Sequence, residues 1–294
     1  MKNNVYSTYT PFYATNAKNI FTVKIGNSMK ELKGKWALVT GASSGIGADL
    51  ARLYAKAGCH LIITARREQR LAELKKELSQ QENIQIEIIQ NDLSTETGPQ
   101  ELFDAVEDKK IQVSILVNNA GIALSGKFND IPLDKKLGII QLNLVSLTKL
   151  THLFLQGMIS RREGWIMQVA SVYGFQPGPN MATYAATKAY VISLSEALNY
   201  ELKGTGVKHS VLCPGPTRTE IFDTAGHTTN LLMDNLSMDS MDVAKEGFKG
   251  LLNGKSVIVP GAINKALVSS NRFSPRALTV FGASLFGKEG KSKK

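Results

Sequence analysis

The sequence predicts an α/β fold: one doubly wound domain with a seven-stranded parallel sheet and helices on both faces. Three observations predict it. Short apolar runs alternate with helix-period segments from Trp36 to Val259, which is the pattern of successive βαβ units. Those units follow one another with no linker-like break and no internal repeat, so a single domain accounts for them. A glycine-rich turn follows the first apolar run, at the end of the strand where open α/β sheets hold their ligands.

The expected strands are Trp36–Thr40, His60–Ala65, Ile84–Gln90, Ile115–Asn118, Trp165–Ser171, Val207–Cys213 and Ser256–Val259. Each is a short apolar or β-branched run bounded by turn residues. Apolar positions at helical spacing predict helices over Ile46–Ala57, Glu68–Gln80, Pro99–Glu107, Leu133–Arg161, Tyr184–Leu202 and Met241–Leu252. The domain so defined covers residues 34–262. Residues 1–33 read as an extension without a period of 2 or 3.6, and Met29 is a plausible true start. Residues 263–294 read as a basic C-terminal extension.

Composition narrows the class. The chain has 294 residues, 43% hydrophobic and 20% charged, which is globular and not disordered. No run reaches the 18 or so uninterrupted apolar residues of a membrane span. Two cysteines, Cys59 and Cys213, make no disulfide framework, so a reduced, cytoplasmic setting is expected. The net charge of +10 sits at the ends: residues 1–35 carry +5, residues 255–294 carry +7, and the body between carries −2. A nucleic-acid enzyme spreads basic groups over its folded face, so no nucleic-acid partner is expected. His60, His152, His209 and His227 are scattered and match no metal-ligand spacing.

The turn reads Thr40-Gly41-Ala42-Ser43-Ser44-Gly45-Ile46-Gly47 and runs into a helix. Glycines there permit positive φ and close approach of backbone N–H groups to a ligand. The helix start adds partial positive charge, so a pyrophosphate is the natural guest. The end of the second strand selects the dinucleotide: an acid suits the ribose hydroxyl of NAD, a base the 2′-phosphate of NADP. Here Arg66 and Arg67 follow Ala65, and a guanidinium fork matches a phosphate. Ser43 can add a second hydrogen bond. NADP(H) is the expected cofactor, and solvated helix-cap arginines are the alternative.

Tyr184 and Lys188 stand one turn apart on a helix face, with Ser171 thirteen residues upstream. A phenol with a pKa near ~10 must be brought toward the working pH to exchange protons efficiently. A neighbouring ammonium acts in that direction, and a change to near neutrality corresponds to about 4 kcal/mol of differential interaction. Taken alone, the pair is also what an ordinary helix with a half-buried Tyr and a surface Lys contains.

With Gly41/Gly45/Gly47, Asn91-Asp92-Leu93, Asn118-Asn119-Ala120-Gly121, Asn143, Ser171, Tyr184/Lys188 and Pro214-Gly215 in this order, the chain resembles the short-chain dehydrogenase/reductase family. The resemblance spans residues 36 to about 220 and implies a Rossmann-like sheet. It implies that Tyr184 protonates a carbonyl oxygen, that Lys188 holds the nicotinamide ribose and depresses the phenol pKa, and that Ser171 hydrogen-bonds the substrate oxygen. Asn143 would place a water behind Lys188, and a helix bend is its alternative role. Asp92 and Leu93 would meet adenine, and Asn119, Ala120 and Gly121 would line the cofactor. Pro214, Gly215, Thr217 and Thr219 would pass the nicotinamide, and Ser44 and Ile46 belong to the glycine turn.

The implied activity is NADP(H)-dependent interconversion of a carbonyl and a secondary alcohol, on an apolar or acyl-type small molecule. A 3-oxoacyl thioester reductase and a steroid-type dehydrogenase are alternatives within enzymes, and an idle dinucleotide-binding scaffold is the alternative outside them. Residues 219–242, rich in Leu and Met, suit an adaptable substrate lid, or equally a segment packed on the body. The family implies a homodimer or homotetramer built on the Leu133–Arg161 and Tyr184–Leu202 helices. The apolar run Pro275–Phe286 with basic flanks suits reversible contact with an anionic membrane, or a helix over a partner subunit or the active-site mouth.

Overall fold

The computed structural model describes residues 29–79, 84–220 and 236–286. Most of the N-terminal extension, residues 221–235 of the expected lid with His227, and the last eight residues lie outside them. The strands are β1 Trp36–Thr40, β2 His60–Ala65, β3 Ile86–Gln90, β4 Val113–Asn118, β5 Gly164–Val169, β6 Val207–Leu212, β7 Thr217–Arg218, β8 Met238–Asp239 and β9 Val257–Ile258. The helices are α1 Gly45–Lys56, α2 Glu68–Leu78, α3 Gly98–Asp108, α4 Leu133–Ile140, α5 Leu147–Arg161, α6 Ala182–Glu201, α7 Ser240–Leu252, α8 Ala262–Ser270 and α9 Arg276–Phe286.

Seven strands form one parallel sheet in the order β3-β2-β1-β4-β5-β6-β9. The first crossovers run outward from β1 to β3, and the chain then returns to β4 on the other side of β1. Neighbouring connections therefore leave in opposite directions at β1 and β4, and a crevice opens beyond their C-terminal ends. Val39 pairs with Val117 and Thr40 with Thr64 just below that crevice.

Alternation along the strands builds two cores. Ala37, Val39, Leu61 and Ile63 face one layer, against Leu50 and Tyr54 of α1, Leu71, Leu74 and Leu78 of α2, and Phe248 of α7. Leu38, Ile62, Leu116 and Ile166 face the other, against Leu102, Leu150, Phe154 and Met158. Leu71, Leu74 and Leu78 recur at helical spacing, and burying each contributes about 1.5–3 kcal/mol.

Four features add to or alter the sequence expectation, two of them, the break at Asn143 and the C-terminal helix, along its stated alternatives. The Leu133–Arg161 helix is interrupted by a π-helical turn over Gln141–Ser146, where the Ser146 hydroxyl bonds back to the Gln141 carbonyl and across to that of Leu93. β5 stops at Val169, and Ser171 instead caps a 3₁₀ turn over Val172–Phe175 by accepting the Tyr173 N–H at 3.2 Å. A small parallel pair, β7 with β8, joins Thr217–Arg218 to Met238–Asp239. Past β9 the chain folds into α8 and α9. The whole Leu133–Arg161 run is long and apolar enough to cross a membrane by length and composition, with 44% of its most apolar window buried in the fold. Among the described residues, no cluster of His, Cys, Asp and Glu is placed to hold a metal ion.

Candidate active site

The crevice begins at Thr40. Its hydroxyl accepts the N–H groups of Asn119 at 3.0 Å and Ala120 at 2.9 Å and donates to the Val117 carbonyl. The Asn119 amide in turn donates to the carbonyls of Thr40 and Gly41 at 2.9 and 3.2 Å. The glycine turn is thereby fastened to the loop after β4. Gly41 has φ +65°, and a Cβ there would lie 2.9 Å from Ala120 Cα. Gly45 has φ +54°, and a Cβ there would lie 2.9 Å from the Thr219 methyl. No side chain caps α1, so the N–H groups of its first turn, which no helix carbonyl can reach, are available to a ligand.

A cleft of about 350 Å³ runs from this turn across the sheet ends. Gly41, Ser43, Ser44, Gly45 and Ile46 line one end beside Arg66 and Arg67. Asp92 and Leu93 line it next to Arg66, Thr219 and Asn119–Gly121 lie against the turn, and Ser171, Tyr184, Lys188, Pro214, Gly215 and Thr217 complete the far end. Gly47 and Asn143 lie behind the wall. A Cβ on Gly47 would stand 2.4 Å from the Gly41 carbonyl oxygen, and one on Gly121 would stand 3.2 Å from Asn143 Oδ1 and 3.5 Å from Lys188 Nζ. An elongated cleft with an anion-binding turn along its wall and the hydroxyls of Ser171 and Tyr184 at its far end fits an extended dinucleotide.

At the turn, the guanidinium that meets Ser43 belongs to Arg67. Its Nη2 donates to Ser43 Oγ at 3.0 Å and to Ser44 Oγ at 2.9 Å, while Nη1 reaches Glu220 at 2.7 Å. Arg66 stands next to Asp92. Burial pushes the Asp92 carboxyl up, but bonds from the Ser94 hydroxyl and N–H and the charge of Arg66 outweigh it and hold it below the usual range.

At the far end, the Tyr184 phenol is hydrogen-bonded to Ser171. Burial pushes the phenol up to about 12, against the lowering effect of that bond. Burial likewise brings the Lys188 ammonium down to about 8. Lys188 Nζ donates to the Val169 carbonyl at 2.8 Å and lies 5.7 Å from the centre of the Tyr184 ring. The expected depression of the phenol by Lys188 is therefore corrected. In this structure the ammonium is turned to a carbonyl, Ser171 is the group that touches the phenol, and desolvation dominates.

Asn143 occupies the π turn, and its amide is committed to Ile122 and Thr187. Sequence reasoning did not single out Tyr173, Leu142, Ile122 or Glu220, all of which line the cleft. Tyr173 packs edge-to-face on Tyr184 at 6.1 Å. Its place two residues after Ser171 was the only available signal.

Residues 35–230 match the family model for short chain dehydrogenases. The oxidoreductase YvaG of Bacillus subtilis is 38% identical over 194 residues, covering 66% of this chain and 72% of that protein. A very-long-chain 3-oxoacyl-CoA reductase of Anas platyrhynchos is 33% identical over 180 residues, covering 59% of this chain and 57% of that protein. Among solved structures, a short-chain dehydrogenase from Sphingobium yanoikuyae in complex with NADPH superposes with a TM-score of 0.73 at 29% identity, covering 88% of this chain and 98% of that one. A Burkholderia phymatum family member in complex with NAD gives 0.73 at 26% identity, over 81% and 93% of the two chains. Glycine turn, sheet order and residue match agree: this chain is an oxidoreductase of the short-chain dehydrogenase/reductase family.

Proposed function

We propose that the protein is an NADP(H)-dependent reductase that converts a carbonyl to a secondary alcohol, with Tyr184 as the proton donor. The observation that carries this reading is the Ser171–Tyr184 hydrogen bond, with Lys188 nearby, in a cleft that Ser43 and Arg67 also line.

The turn 41–47 and the start of α1 would hold the diphosphate; Ser43, Arg66 and Arg67 would hold the 2′-phosphate; Asp92 and Leu93 would hold the adenine. Asn119–Gly121, Pro214, Gly215, Thr217 and Thr219 would line the nicotinamide riboside, and Lys188, which has further N–H donors beyond its bond to Val169, would hold the ribose hydroxyls. When bound, the nicotinamide supplies the hydride.

The chain's own part is the proton. Ser171 donates a hydrogen bond to the substrate oxygen and stabilises the negative charge that develops there. Tyr184, hydrogen-bonded to Ser171, delivers its proton to the same oxygen. Burial keeps the phenol in its protonated form at neutral pH, the form a proton donor to a carbonyl needs.

Ile122, Leu142, Val169, Tyr173 and Pro216 add apolar lining to the cleft, which supports an apolar or acyl-type carbonyl substrate. The 3-oxoacyl-CoA reductase among the relatives supports the same class. NADPH oxidation followed by absorbance over a panel of aldehydes, ketones and 3-oxoacyl thioesters tests the reading. Turnover with NADPH that disappears in Tyr184→Phe supports it; no turnover on any carbonyl, or turnover unchanged by that substitution, overturns it.

We also propose assembly as a homodimer or homotetramer in the cytoplasm. The exposed apolar side chains Leu133, Leu137, Ile140 and Ile159 on α4 and α5 support the assembly, and two buried, unpaired thiols suit the compartment. Light scattering reads the assembly. Leu278 and Phe281 of α9 are also exposed, which supports peripheral contact with an anionic membrane. Co-sedimentation with anionic vesicles, lost on deleting residues 276–294, would support that contact, and equal recovery with and without them would remove it.

A further inference from the structure

The cradle at the glycine turn already holds an anion, and the anion belongs to the chain. Glu220 Oε2 lies 2.7 Å from Arg67 Nη1, and its carboxylate also bonds to Ser44 and feels the charge of Arg70. The same Arg67 guanidinium is forked onto Ser43 and Ser44. The hydrogen bond and charge of Arg67 hold the Glu220 carboxyl below its usual range. Glu220 is brought there by its neighbour: Thr219 packs over Gly45, where a Cβ would meet its methyl group.

A phosphate monoester placed between Ser43 and Arg67 needs the same donors that now serve Glu220, and it carries the same sign of charge. A ribose hydroxyl at that place needs none of them to be released. Glu220 therefore weakens the binding of one dinucleotide and leaves the other untouched.

We infer that Glu220 is a specificity-determining residue: its carboxylate competes with the 2′-phosphate of NADP(H) for Arg67 and Ser44, and so lowers the preference for NADP(H) over NAD(H). The inference rests on the cofactor reading above for the place of the 2′-phosphate. A ligand that binds only when the site is free has its affinity reduced to the fraction of time the site is free. Exposed ion pairs are worth up to about 1 kcal/mol, and like-charge repulsion adds to that, so removing Glu220 should tighten NADPH about threefold to tenfold.

The test is fluorescence titration of NADPH and NADH on the full chain, in the unaltered protein, E220Q, E220A, R67M and the double variant R67M/E220Q. Both Glu220 variants should bind NADPH about threefold to tenfold more tightly, with NADH changed less than twofold. The gain should vanish in the R67M background. A ratio of NADH to NADPH dissociation constants that stays the same or falls in E220Q and E220A overturns the inference, as does an equal gain for both nucleotides or a gain that survives R67M. The cofactor reading fails separately, if the unaltered protein binds NADPH no more tightly than NADH, because the inference is read from the change on substitution. The pair is half exposed, at 46% and 41%, so these variants leave the core intact.

Discussion

Asn143 and Ile122 exchange two hydrogen bonds: Asn143 Oδ1 accepts the Ile122 N–H at 2.9 Å, and Nδ2 donates to the Ile122 carbonyl at 2.9 Å. Asn143 sits in the π turn, fully buried, and Ile122 follows the Asn119–Gly121 wall of the cleft. The pair joins the helix across the sheet face to the loop that would hold the nicotinamide end, and the widened turn gives Asn143 its position.

Asn143→Ala leaves both backbone groups of Ile122 without that partner. Urea denaturation should show a loss of about 1–3 kcal/mol. A change within about 0.5 kcal/mol would mean that the loop is held by other contacts.

Tyr184→Phe removes one hydroxyl and keeps the ring packed on Tyr173. Turnover should fall by about 10²–10⁴, with the NADPH dissociation constant within about threefold. Comparable loss of nucleotide binding would show that the phenol serves the cofactor and not the proton.

Lys188 carries a pH signature. Burial holds its ammonium at about 8, against the 10.5 of an ordinary lysine side chain. Below pH 8 the folded chain bears the cost of a buried charge. Between 8 and 10.5 the folded state is neutral while the unfolded state still binds the proton, so stability rises with pH in that window. Relative to Lys188→Met, the unaltered chain should gain about 2–3 kcal/mol between pH 7 and 10. Parallel stability curves for the two proteins across that range would contradict this. Substrate turnover should decline above pH 8 as the charge is lost.

Two glycines separate contact from conformation. A Cβ at Gly47 would press on the Gly41 carbonyl and the Asn119 amide, each at 2.4 Å, whereas at Gly138 it would meet nothing within 4 Å. Gly47→Ala should weaken NADPH binding at least about tenfold and cost about 1–3 kcal/mol. Gly138→Ala, inside α4, should stabilise by about 0.5–1 kcal/mol. Thermal melts and nucleotide titration on both variants read these effects.

Apolar periodicity and turn residues specified the sheet strands, the helices that flank the sheet apart from the break in Leu133–Arg161, and the glycine turn, because those signals are local: a strand or helix buries the face its own spacing creates. The order of landmarks from Gly41 to Gly215 likewise made the cleft's lining legible. What the chain alone could not settle were relations between distant residues. That Arg67 meets Ser43 and Glu220, that Lys188 turns to Val169 while Ser171 touches Tyr184, and that the long helix opens at Asn143 all depend on three-dimensional contact. The phenol's proton affinity is of the same kind, since desolvation is set by everything packed around the oxygen and not by a lysine four residues along.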